Sequence, residues 1–135
     1  MDGDHLNEQV WRVERRVTTT RALEGTVPIF LATAKYKPEA LAAARKDSLT
    51  ARAAASDALT ESAGGRSLGT YFPASPDWDI LSVAELPSAE VAYAIQSMAM
   101  ASGAMERFQI TQLLTGAEAD AAIDRPFNWA PPGTK

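Results

Sequence analysis

The sequence predicts an α+β domain in which helices cover one face of a four-stranded antiparallel sheet, and three observations predict it. Gly64 to Leu86 reads as two β-rich runs joined by a polar, proline-containing turn. A helical, alanine-rich stretch precedes this hairpin and another follows it. A further β-rich run lies outside each helical stretch, so the order is strand, helix, strand, strand, helix, strand. A chain of 135 residues with 46% hydrophobic and 22% charged side chains suits one domain with a modest core.

Residues 4–17, DHLNEQVWRVERRV, place Leu6, Val10, Val13 and Val17 at helical spacing, with Asp4 positioned as a cap. A strand through Trp11, Val13 and Val17 is the competing reading, because the branched Thr18, Thr19 and Thr20 follow. Arg12, Arg15 and Arg16 are diluted by Glu8 and Glu14 and read as a solvated face. Gly25 and Pro28 mark a linker. The expected organisation is an N-terminal extension and linker over 1–27, a core domain over 28–123 and an extended C-terminal arm over 124–135.

Ile29 to Tyr36 is the first strand, with Phe30, Ala32, Ala34 and Tyr36 on an apolar face and Ile29, Leu31, Thr33 and Lys35 on a mixed one. Pro38 opens a helix to about Ala63 whose packing face combines Leu41, Leu49 and Leu59 with alanines. Asp47-Ser48 is a point where it breaks or recaps, since both side chains compete for backbone hydrogen bonds. Gly64-Gly65 stops it. The hairpin strands are Arg66–Phe72 and Trp78–Glu85, and Ala74-Ser75-Pro76-Asp77 suits a type I turn.

In the second hairpin strand Trp78, Ile80, Ser82 and Ala84 alternate with Asp79, Leu81, Val83 and Glu85, and neither set looks made for water. Such a strand belongs in a sheet covered on both faces. The chain's own helices supply one cover, and a partner or ligand the other. Ser88 caps the next helix, with Val91, Ile95 and Met98 as its buried stripe, Tyr93 and Met100 off that stripe, and Gly103 as its end. Met105–Leu114 is the last strand, and Thr115 to Glu118 has capping-box spacing for a short helix ending near Ile123.

This order is the ferredoxin-like βαββαβ plan. The net charge of −4 argues against a nucleic-acid groove. The third strand also lacks the exposed aromatics and basic residues of an RNA-recognition motif. No run approaches the ~18 apolar residues of a spanning helix, and the polar N-terminus is unlike a signal peptide, so no membrane partner and a cytoplasmic location are expected. The chain has no Cys, which removes disulfides and thiolate chemistry.

Lys35-Tyr36-Lys37-Pro38-Glu39-Ala40-Leu41, the alanine-rich helix around Arg52, Gly64-Gly65, Leu68-Gly69-Thr70-Tyr71-Phe72 and Asp77-Trp78-Asp79-Ile80 together resemble the GYD domain family over roughly residues 28–123. The family is named for a Gly-Tyr-Asp at the start of the third strand. Asp79 matches its Asp, while Trp78 stands in place of Tyr and Asp77 in place of Gly. The resemblance implies a dimeric α+β barrel, two subunits packed sheet to sheet, and no established reaction.

Candidate sites lie on the mixed faces. The only His, His5, lies in the N-terminal tail and reads as solvent-exposed. Asp77 and Asp79 share a strand face and suit an acid pair or a hard cation, against turn and backbone-bonding roles. Gly64-Gly65-Arg66 lacks the ending of a phosphate loop. No metal, no cofactor and no catalytic residue is assigned.

The expected ligand set is Thr33 and Lys35 on the first strand, Arg107, Gln109 and Thr111 on the last, and Tyr71 and Asp79 on the hairpin. These would line the space between two sheets, with Ser82 and Ala84 small enough to leave a cavity there. The same polar set also suits a hydrogen-bonded dimer interface without a ligand. The expectation is a non-catalytic homo-oligomer, at least a dimer, that binds a small molecule or serves as an accessory subunit. The alternative is a small cofactor-independent enzyme acting on an apolar aromatic or quinone-like substrate. Phe127 and Trp129, in a proline-rich arm that cannot build its own core, are expected to dock on another subunit or a protein partner.

Overall fold

Alternation in IFLATAKY forms β1, Ile29–Tyr36, and buries Phe30, Ala34 and Tyr36 on one side. The structure, a computed structural model, describes residues 27–133. The expected helix or strand over 4–17, the Arg12, Arg15 and Arg16 cluster and His5 lie outside the described residues.

Pro38 begins α1, Pro38–Asp47, at a position whose missing N–H would have had no helical acceptor. The chain then turns at Ser48, which takes φ 129. Its N–H donates to Ala44 O at 3.1 Å while its Oγ accepts from Ala51 N at 3.1 Å. Ser48 thus ends one helix and caps the next, and the long helix becomes two, α1 and α2, Leu49–Ser62. The restart leaves Leu49 exposed, in contrast to the packing face expected of it, whereas Leu41 and Leu59 are half-buried.

Gly65 leads into β2, Arg66–Tyr71. A Cβ on Gly65 would lie 2.2 Å from the Glu85 carbonyl oxygen, so the approach of the α2 end to the sheet needs glycine. β2 pairs antiparallel with β3, Ile80–Glu85, but the connection is wider than the tight type I turn that the sequence suggests. Residues 72–79 lie outside the strands, with bends at 74–77 and 79, and β3 starts two residues after Trp78. The reason lies in Asp79. Its N–H donates to Ala34 O at 2.8 Å and its Oδ2 accepts from Tyr36 N at 2.9 Å, so a carboxylate replaces the backbone partner that would have extended the ladder.

Ser88 Oγ accepts from Val91 N at 3.2 Å and caps α3, Ala89–Ala101. The residues of α3 that bury fully are Ala92 and Ala99, while Met98, expected in the buried stripe, is 53% exposed. Alanines let the helix approach the sheet closely, and the longer Met98 side chain extends beside that contact. β4, Met105–Leu113, comes next. Thr115 and Glu118 then make both bonds of a capping box, at 3.1 and 2.8 Å, and open α4, Gly116–Ile123.

The result is an α+β fold with a four-stranded antiparallel sheet in the order β2-β3-β1-β4. The core lies between the sheet and α1, α2 and α3, in one cluster around Ala34, Tyr36, Ala44 and Ile80 and another around Phe30, Leu86 and Ala92. Among the described residues no helix is long and apolar enough to cross a membrane.

The longer helices are held at the margins of the sheet. α2 packs on β2 and α3 on β4, the two edge strands. A bulge in β2 fixes the first of these contacts: Ser67 pairs with Ala84 and Thr70 with Ser82, so three steps on β2 match two on β3. Both hydroxyls therefore reach the helix side, where Asp57 Oδ1 accepts from Ser67 at 2.8 Å and from Thr70 at 3.1 Å.

Candidate functional site

The central strands present small side chains toward the helices: Ala32 and Ala34 on β1, Ser82 and Ala84 on β3. With α2 and α3 anchored over the edge strands and α1 packed on β1, a gap remains above the small side chains in the middle of the sheet. A cavity of about 480 Å³ occupies that gap. This lies within the roughly 300–1,000 Å³ typical of small-ligand pockets. Leu59 from α2 and Ile95 and Met98 from α3 border it above the floor, and Phe30, Tyr36 and Phe108 border it from the sheet. Ser82 and Ala84 thus border open space as their size suggests, but beneath the helices, where residue alternation on β3 places them beside Ile80.

The polar groups on the wall are few. Ser56, Thr60, Ser82 and Ser102 contribute hydroxyls, and Thr60 Oγ1 already donates to Ser56 O at 3.1 Å. Asp47 and Arg52 line the cavity at the α1–α2 junction. Arg52 Nε is buried with no hydrogen-bond partner. Arg52 is absent from the ligand set that the sequence suggests. The available signal was a lone cation in Ala51-Arg52-Ala53-Ala54-Ala55, where every neighbour is too small to shield or pair it.

The sequence-predicted set falls on the opposite face of the sheet. Thr33 pairs in register with Gln109, Lys35 with Arg107 and Leu31 with Thr111, so the residues from β1 and β4 do lie together. Tyr71 stands on the edge strand opposite Leu81, which in turn faces Thr33 across the other ladder. It is therefore three strands away from Gln109, and its ring is 60% exposed. Thr33 is buried, its Oγ1 3.4 Å from Gln109 O.

The two cations of this set are engaged by the β2–β3 connection. Lys35 Nζ donates to Pro76 O at 3.0 Å and stands 3.5 Å from Asp79 Oδ1. Arg107 Nη2 donates to Asp77 O at 2.7 Å, and its guanidinium lies over the Trp78 ring, 4.7 Å from the centroid. Directly opposed like charges on neighbouring strands repel. Here each is answered by a loop carbonyl, and Lys35 also by the Asp79 carboxylate. Asp77 and Asp79 do not act as a pair: Asp77 sits in the exposed bend with its N–H on Ser75 Oγ, while Asp79 is committed to Tyr36 and Lys35. Among the described residues no three His, Cys, Asp or Glu converge as a metal site would require.

The GYD domain model matches residues 30–123. The chain belongs to the GYD domain family. The match covers β1 from Phe30 onward, the other three strands, α1 to α4 and the β2–β3 connection. Asp77, Trp78 and Asp79, the residues whose resemblance to Gly-Tyr-Asp is drawn above, help to hold the connection against β1 and β4. Comparisons with curated proteins and with solved structures found no match.

Proposed function

We propose that this GYD-domain protein is a non-catalytic, homo-oligomeric small-molecule-binding protein of ferredoxin-like, dimeric α+β barrel type. The observation that carries the reading is the cavity of about 480 Å³ between helices and sheet. Small side chains on the central strands and helices held over the edge strands make that space a consequence of the fold. Its walls are mostly apolar with a few polar groups, the composition of a small-molecule site.

Oligomerisation is supported by the C-terminal segment. Leu114, Ile123, Phe127 and Trp129 are exposed, the last two at 78%. Apolar side chains at that density on one segment gain by burial against a second copy of the chain. The strand order β2-β3-β1-β4, with α1, α2 and α3 on one face, supports the ferredoxin-like part of the reading.

The test uses the neutral fluorophore N-phenyl-1-naphthylamine and light scattering on the same sample. Saturable binding is expected, together with a mass of at least two chains. Ser82→Leu, which fills the floor, should weaken binding by about tenfold or more without lowering the melting temperature. Undiminished binding by a folded Ser82→Leu protein places the site elsewhere, and a stable monomer removes the oligomer.

A further inference from the structure

We propose that the cavity takes an apolar molecule ending in a single carboxylate, and that Arg52 is the group that receives it. The inference rests on the ligand-binding reading above and names the class of ligand. An arginine side chain with a buried nitrogen is ordinarily answered by an acceptor, because desolvating part of a guanidinium without one is unfavourable. Arg52 Nε is buried and has no such acceptor, and Arg52 forms no ion pair with any described residue. Asp47 borders the same space without pairing with it. The rest of the wall offers mainly aliphatic and aromatic surface.

A guanidinium is a planar fork that matches the two oxygens of a carboxylate. The charge balance favours a monoanion over a phosphate ester: among the described residues Arg52 is the only cation on the cavity wall, and Asp47 opposes additional negative charge. The acid group is therefore set at the α1–α2 junction, and the apolar body lies along Ala32, Ala34 and Ser82 toward Phe108 and Ile95.

The experiment measures displacement of N-phenyl-1-naphthylamine by matched pairs, 2-naphthoate with 2-naphthamide and decanoate with decanamide. For at least one pair, the wild-type protein should prefer the acid by about tenfold or more, since an ion pair with the guanidinium replaces its contact with an uncharged amide. Arg52→Met should reduce that preference to within about twofold, and Arg52→Lys should restore part of it. Equal affinity for acid and amide, or a preference that survives in a folded Arg52→Met protein, overturns the assignment while the cavity reading stands. Displacement by neither acid, with the fluorophore bound, does the same. If the fluorophore itself fails to bind the wild-type protein, the cavity reading falls and this inference with it.

Discussion

The two faces of one sheet set polar residues in different surroundings. On the face away from the helices, Lys35 and Arg107 look like ligand-binding cations, yet each donates to a loop carbonyl, Pro76 O or Asp77 O, and Lys35 also meets the Asp79 carboxylate. On the helix side the residues look like packing material, alanines and serines, and there the space is found. An irregular loop beside a polar cluster on a strand face thus offers carbonyls that engage its cations. Small residues on central strands leave open space when the helices above them are held at the edges.

Three substitutions sharpen this contrast, the largest effect first. Asp79→Ala should destabilise the fold by about 2–3 kcal/mol, because it leaves the Tyr36 N–H without its acceptor and Lys35 without its carboxylate. Chemical denaturation reads this directly. A loss below about 0.5 kcal/mol would mean that the carboxylate does not hold the connection.

Asp57→Ala removes the acceptor shared by Ser67 and Thr70 and should cost about 1–2 kcal/mol. The more informative readout is the cavity. With α2 no longer tied to β2, fluorophore affinity should change at temperatures where the protein is still folded. Affinity identical to wild type would show that leucine and alanine packing alone keeps the helix at the edge.

Lys35→Met should have the smallest effect, under about 1 kcal/mol, since the ammonium is partly exposed and Asp79 retains its bond to Tyr36. It should leave ligand affinity in the cavity unchanged. A loss of ligand binding in this variant would move the site to the other face of the sheet and break the contrast.

Much of the local structure was legible in the sequence because it depends on neighbours in the chain. Ser88, Thr115 with Glu118, and Pro38 mark helix starts through bonds or ring geometry spanning three residues or fewer. Asp47-Ser48 was legible as a break for the same reason. The β2–β3 connection was misread because Ala74-Ser75-Pro76-Asp77 carries local turn chemistry, whereas the loop is held by Tyr36, Lys35 and Arg107 from β1 and β4. The stripe on α3 was misread at Met98, because periodicity identifies a face without fixing which side chains reach the sheet.

By itself the sequence determined the alternation of strands and helices, the helix starts at Pro38, Ser88 and Thr115, the adjacency of β1 and β4, and the family, since each comes from period, capping or motif. Only the tertiary structure decided which polar residues are engaged and where open space remains. The first depends on the β2–β3 connection, which brings the Pro76 and Asp77 carbonyls to Lys35 and Arg107, and the second on the lateral position of α2 and α3 over the sheet, set by the β2 bulge that turns Ser67 and Thr70 to Asp57 and by the packing of α3 on β4. An amphipathic pattern specifies that a helix packs on a sheet, but it carries no term for where along the width of that sheet the helix comes to rest.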